Sequence, residues 1–236
     1  MNKRITAISE LFRDKSIRVI GIISDPNQGK SNTIYHCIQE IQEHASQTRI
    51  YSYGLHTKFD GVWDIHSISE LETITNGVIF VDEWADLVDT DNRRQAKKFE
   101  KTMRTIYHPY KNNIVILCGL ARNFNARISG MLHAIIFKQT TLVDIVQRSP
   151  VYNIMKEYEG GMLVQKGSSV LTMPKNIALV HKVGQQFDEV EVPYVEAADS
   201  KRHNPDIVKW DDLGDSMNDV RGHGEFDLAE RIKAAI

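Results

Sequence analysis

Ser24-Asp25-Pro26-Asn27-Gln28-Gly29-Lys30-Ser31 follows an apolar run, Ile17 to Ile23, and leads into a segment with apolar residues at Ile34, Cys37, Ile38 and Ile41. The run predicts a buried strand, and the later spacing predicts a helix from about Ser31 to His44. Strand, loop, Gly-Lys-Ser and helix is the context in which loop amides and a helix N-terminus meet anionic oxygens. The candidate nucleotide-binding residues are therefore Ser24, Asp25, Pro26, Asn27, Gln28, Gly29, Lys30, Ser31 and Asn32. Lys30 would reach the β- and γ-phosphates of ATP, and the Ser31 hydroxyl would hold Mg2+. Ser24 stands where such a loop usually has its first glycine, with Gly21 just upstream, and Pro26 stiffens the loop. Glycine is favoured there because it takes backbone angles that a Cβ opposes. The competing reading is a strand-turn-helix junction with an accidental Gly-Lys-Ser.

A second signal works against that reading. After Asn76-Gly77, the apolar run Val78-Ile79-Phe80-Val81 delivers Asp82 and Glu83 at its tip. This is a Walker B pattern at a workable distance after the loop. Asp82 would join the Mg2+ shell, and Glu83 would orient and deprotonate the attacking water. Taken alone, a buried strand ending in solvated acids would explain the pattern. Both motifs, in this order, point to binding and hydrolysis of ATP.

The chain has 236 residues, room for one α/β domain with a modest extension, and its 42% hydrophobic and 25% charged residues are ordinary for a globular protein. A formal net charge of −2 excludes a polybasic coat, so contact with nucleic acid would need a local basic patch. No apolar run reaches the length of a membrane span, and Met1-Asn2-Lys3-Arg4 lacks an apolar signal core. Cys37 and Cys118 lie in apolar surroundings and read as buried, reduced thiols, as in a cytosol. The histidines show no metal-ligand spacing.

Strands and helices alternate, which predicts a mostly parallel sheet. A short helix over 5–13 precedes the first strand, and Arg49 to Tyr53 reads as a strand, followed by a brief extended piece at Trp63-Asp64-Ile65. Ser67-Ile68-Ser69-Glu70 has capping-box spacing and opens a helix expected to end at Asn76-Gly77. A polar helix from about Asp91 to Tyr107 leads through Pro109 to the strand Ile114 to Cys118, and Ala134 to Phe137 makes another. A helical stretch broken at Pro150 comes next. Short segments at Met162 to Gln165, Val170 to Met173 and Ile177 to Val180 read as strands extending the sheet or forming a hairpin. The expected division is an ATPase core over 1–182 and a polar C-terminal extension over 183–236. The extension ends in a helix with an apolar stripe of Phe226, Leu228, Ala229, Ile232 and Ala235.

A strand and helix intervene between the loop and the Walker B strand, and a glutamate directly follows the metal aspartate. Both features belong to the RecA-like branch of P-loop NTPases. The expected fold class is α/β, a RecA-like P-loop NTPase of the ASCE type with a mostly parallel central sheet flanked by helices and a C-terminal β extension.

Arg93, Arg94, Lys97, Lys98 and Lys101 lie on the helix after Glu83, with Arg93, Lys97 and Lys101 on one face and Arg94 and Lys98 on the next. Such a face could follow DNA phosphates without reading sequence. A solvated helix balanced by Asp89, Asp91 and Glu100 would look the same. Ring ATPases supply an arginine to a neighbour's γ-phosphate, where it stabilises transition-state charge. The candidates here, in order, are Arg104, Arg122, Arg127 and Arg148, and Asn123 is a candidate polar sensor.

With these motifs in hand, the chain resembles the FtsK/HerA-type ATPases. Among them it is similar to the small genome-packaging ATPases of tailless, membrane-containing icosahedral viruses. The resemblance covers roughly residues 17–140. It rests on the loop, Val78 to Glu83, and Arg104-Thr105-Ile106-Tyr107-His108 running into Ile114 to Cys118. Cys118-Gly119 stands where the sensor strand usually ends in a glutamine or similar polar residue. The resemblance implies a homo-oligomeric ring, a hexamer by preference, translocating double-stranded DNA into a preformed capsid as it hydrolyses ATP. Capsid or vertex proteins would be its partners and the host cytoplasm its location. The alternatives are an assembly or secretion ATPase acting on protein, and a replication helicase or loader.

Overall fold

The structure, a computed structural model, describes residues 6–55, 59–87, 92–124, 126–141, 170–171, 174–182 and 187–194. Helix α1 (Ala7–Arg13) opens with a capping box in which the Thr6 hydroxyl accepts from the Ser9 amide at 3.1 Å. Strand β1 (Val19–Ser24) is buried throughout and feeds the loop into α2 (Lys30–His44). Then follow β2 (Arg49–Tyr53), β3 (Val62–Asp64), α3 (Ile68–Thr73), β4 (Gly77–Val81) and the single turn α4 (Trp84–Leu87). Helix α5 (Arg93–Ile106) leads to β5 (Ile114–Leu120), the turn α6 (Ala126–Ser129) and β6 (Ala134–Phe137). Strands β7 (Thr140–Thr141) and β8 (Val170–Leu171) form a small antiparallel pair apart from the main sheet. Strands β9 (Ile177–Lys182) and β10 (Phe187–Glu191) return to that sheet.

Among the described residues the main sheet has eight strands in the order β10-β9-β6-β1-β5-β4-β2-β3. From β3 to β6 every pairing is parallel, while β9 and β10 add an antiparallel edge. Strand β5 lies between β1 and β4, with Ile20 and Phe80 both registered on Ile116. Apolar residues alternate between the two faces. Ile20, Ile22, Val78, Phe80 and Ile116 join α1 and α2 on one side, and Val19, Ile23, Ile79, Val81, Val115 and Leu117 join α3 and α5 on the other. Both faces of a parallel sheet are thus covered, which is why its strands read as continuous apolar runs.

Helix α3 stops at Thr73, short of the expected Asn76-Gly77, for a tertiary reason. The buried amide of Asn113 donates to the carbonyls of Ile74 at 2.8 Å and Ile106 at 2.9 Å, and accepts from the Gly77 amide at 3.0 Å. Lys111 adds a bond to the Glu72 carbonyl. Groups far along the chain therefore take the helix's last carbonyls. The segment from Val183 onward, expected to be polar, contains β10, whose Val190 is buried against the α1–α2 side. Of the short segments after Gly161, Ile177 to Val180 lies in β9, which extends the sheet on β6 and pairs antiparallel with the unanticipated β10, while Val170-Leu171 pairs with β7. The expected helix toward Pro150 begins instead with β7, and its remainder lies outside the described residues, as do the Met162 to Gln165 strand and the terminal helix. No helix among the described residues is long and apolar enough to cross a membrane.

Candidate functional site

Strands β1 and β4 both end at one edge of the sheet, with the end of β5 between them. The loop after β1 turns back through Asn27, at φ 60°, and Gly29, at φ 88°, into α2. Gly29 is the N-cap and no side chain caps the helix, so the first-turn amides are left for an outside acceptor. Ser24 is the last residue of β1, paired with Leu120 and not among the residues with positive φ. The glycine usual at that position is therefore not required by backbone geometry here. Its hydroxyl is buried and has no hydrogen-bond partner among the described residues. Gly21 answers to packing instead, since a Cβ on it would meet Leu132 Cδ1 at 3.0 Å and Phe124 at 3.3 Å.

Lys30 reaches across the end of β5 to the acidic pair. Its Nζ stands 2.9 Å from Asp82 Oδ1 and also contacts Glu83 Oε1. Burial alone would lower the pKa of Lys30, but the Asp82 and Glu83 carboxylates outweigh it and leave it above the ordinary lysine value. Asp82 Oδ1 also accepts from the Glu83 amide at 3.0 Å. Glu83 has a left-handed backbone at φ 41°. The turn that imposes it is braced by Gly54, where a Cβ would come 2.9 Å from the Asp82 carbonyl. On its far side Trp84 is fully buried, stacked on Phe99 at 5.6 Å and edge-on to Phe124 at 5.6 Å. The buried indole anchors the residue next to Glu83 in the core.

A cleft of about 750 Å3 opens over this edge. Every residue from Ser24 to Asn32 lines it except Gln28, together with Glu83, Leu120, Lys175, Asn176, Val192 and Tyr194. The last four were not anticipated; they come from the β9–β10 edge, which wraps back because Asn32 Nδ2 donates to the Pro193 carbonyl at 2.7 Å. A hydroxyl from Ser31 and a carboxylate from Asp82 are hard oxygen donors, and few protein ligands with phosphates and waters completing the shell is the habit of Mg2+. Among the described residues no group of three or more acidic, histidine or cysteine side chains is arranged to hold a metal. The uncapped helix end, the orphaned Ser24 hydroxyl and the side-chain-free Gly29 fit a phosphate chain.

None of the described sensor and finger candidates lines this cleft. Leu120 represents the end of β5 there, not Asn123. Cys118 is in the core, where burial raises its thiol pKa well above the ordinary value, and Gly119 lies under Trp84 Nε1, 3.2 Å from where a Cβ would be. Arg104, 67% exposed, pairs with Glu100 at 2.8 Å, and Arg127 approaches the same carboxylate at 3.7 Å. Because α5 runs back along the parallel sheet, Arg104 sits at the edge opposite Lys30. Its neighbour Tyr107 packs on His133, which precedes β6. Arg122 is exposed just after β5. Arg148, Asp89 and Asp91 lie outside the described residues.

The basic helix, expected to be polar, is amphipathic. Phe99, Met103 and Ile106 are buried, and Arg94, Lys97 and Lys101 are exposed, with no ion-pair partner among the described residues. The Arg93 side chain lies outside the description, and Lys98 is half-buried. Lys97, Lys101 and Arg104, with Glu100, Thr105, His108 and the 71% exposed Tyr110, line a shallow groove of about 470 Å3.

No protein-family model matches the sequence, and no curated protein does. Solved structures match in fold. The genome packaging NTPase B204 from Sulfolobus turreted icosahedral virus 2, in complex with AMPPCP, aligns over 78% of this chain and 100% of its own, at 12% identity and a TM-score of 0.50. The same protein in complex with sulfate aligns over 76% and 98%, at 13% identity and a TM-score of 0.49. ATPases 2 and 3 of EssC from Geobacillus thermodenitrificans align over 77% of this chain and 38% of that one, at 13% identity and a TM-score of 0.47. The fold shared with the first of these is the α/β architecture expected from the two motifs.

Proposed function

We propose that this chain, built on the fold of a P-loop NTPase, is an ATP-hydrolysing motor of the FtsK/HerA type. As a ring of identical subunits it would move double-stranded DNA into a preformed viral capsid. The single observation that carries the ATPase reading is the meeting of Lys30 with Asp82 and Glu83 beneath an uncapped helix N-terminus. Mg2+ bound by Ser31 and Asp82 would supply charge neutralisation at the phosphoryl oxygens. Lys30, held in reserve by the acidic pair, would turn to the β- and γ-phosphates. Its departure frees Glu83 to accept the proton of the attacking water. B204, the NTPase of like fold, is described as genome-packaging and was solved with AMPPCP, which supports ATP as the ligand here.

The exposed Lys97, Lys101 and Arg104 beside Tyr110 and His108 support a DNA track, since a cationic groove with aromatic faces suits a sugar-phosphate backbone. Arg104, at the edge opposite its own Lys30, could serve as a finger only for a neighbouring subunit. This supports a ring; Arg122 and Arg127 are the next candidates. The test is phosphate release by the full chain with and without duplex DNA. Stimulation by DNA, abolished by Lys30→Ala and Glu83→Gln, is expected. Hydrolysis indifferent to DNA would overturn the translocase part and favour a protein substrate.

A further inference from the structure

Lys138 belongs to neither motif. It follows β6 directly, its amide donating to the Ile23 carbonyl at 2.8 Å, and its side chain is fully buried. The ammonium donates to two backbone carbonyls, Lys175 and Ile177, each at 2.6 Å. These belong to the turn into β9, whose Lys175 and Asn176 form a wall of the nucleotide cleft. On its other side is the phosphate loop. A Cβ on Gly29 would come 3.5 Å from Lys138 Cε and 3.9 Å from its Nζ. No carboxylate pairs with it among the described residues. A buried charge is costly unless compensated, and two carbonyl dipoles compensate only part.

We propose that Lys138 is a second cationic element of the phosphate site, acting from beneath Gly29 on the same oligophosphate that Lys30 meets from the cleft. Through its carbonyl bonds it also ties occupancy of the loop to the β9 turn. The inference rests on the nucleotide-binding reading above.

Charge states support it. Burial pushes the Lys138 pKa down to about 8. The titratable groups on the elements around it are otherwise engaged or exposed. Asp25 accepts from the Thr140 hydroxyl at 3.2 Å, Lys30 is held by Asp82 and Glu83, Lys175 is exposed, and Tyr194 lies at the cleft rim. Above about pH 8 the ammonium would be partly neutral in the free protein, and an anion behind Gly29 favours its protonated form. Binding would then take up a proton, and affinity would fall as pH rises through that range.

The experiment is titration calorimetry of the full chain at about pH 8.5 in excess magnesium, which holds both oligophosphates in their ionised form. Magnesium-ATP and inorganic tripolyphosphate are each titrated in two buffers of different ionisation heat. Wild type should take up a fraction of a proton with both ligands. Lys138→Met should abolish the uptake and weaken binding about threefold at this pH, the effect of a one-unit rise from about 8. Binding by wild type without uptake overturns the proposal, whether or not the variant folds. So does uptake retained in Lys138→Met. Failure of wild type to bind either ligand removes the nucleotide reading itself, and this inference with it.

Discussion

Gly29 holds a left-handed backbone over the Lys138 side chain, where an added Cβ would make only ordinary contact, so alanine there meets a conformational penalty. That penalty is about 1–2 kcal/mol. Gly29→Ala should lower the unfolding free energy by that much, read from a shifted denaturation midpoint at unchanged slope, and weaken nucleotide binding; an unchanged midpoint would mean that the loop relaxes. Trp84 is a different kind of residue, structural in itself but next to Glu83. Trp84→Ala removes a fully buried indole and should cost about 3–5 kcal/mol. Gly119→Ala tests the same anchor more gently: it crowds Trp84 Nε1, and phosphate release should fall more than stability does. The motif residues Gly29, Lys30, Asp82 and Glu83 were legible in the chain because each carries its own chemistry. Trp84 and Lys138 were not, since an indole after an acidic pair and a lysine after a strand have no meaning until the fold surrounds them.

Helix α5 divides its labour between faces. Replacing Lys97 and Lys101 together by alanine should shift stability by no more than about 0.5 kcal/mol per site, as for exposed positions. The same change should reduce both DNA affinity and its salt dependence in a filter or anisotropy assay. Phe99→Ala, on the opposite face, should cost about 3–5 kcal/mol. The helix and its basic face were legible from the four-residue spacing of the cations, its apolar face was not read, and the end of α3 was misread by three residues. Asn113 explains the difference, because one buried amide bonded to Ile74, Ile106 and Gly77 decides where that helix stops. A local capping signal could not reveal a partner so far along the chain.

Across the whole molecule, two histidines link stability to acidity. Burial lowers the pKa of His36, against the opposing pull of Glu40 and Glu43. Burial also lowers that of His133, helped by the nearby Arg18 charge. Each therefore has a folded value below the ordinary 6.5. Below that value the unfolded chain binds more protons than the folded one, so stability is full at neutral pH and declines as pH falls toward the folded values. Urea midpoints should drop between about pH 7.5 and pH 5.5, and His36→Gln should flatten the slope. The sheet's antiparallel edge makes a further prediction. A chain ending at residue 182 would lose β10, which covers β9, and the Val192–Tyr194 wall of the cleft. It should melt below the full chain and bind nucleotide poorly. What the sequence determined alone was the parallel α/β core and the two chemical motifs, because strand runs, helical spacing and Gly-Lys-Ser are local patterns of burial and backbone freedom. Only the tertiary structure decided that β5 parts β1 from β4, that Lys30 spans the gap to Asp82, and that the β9–β10 edge closes the cleft. Those are long-range pairings, set by packing and buried hydrogen bonds between residues that no local pattern connects.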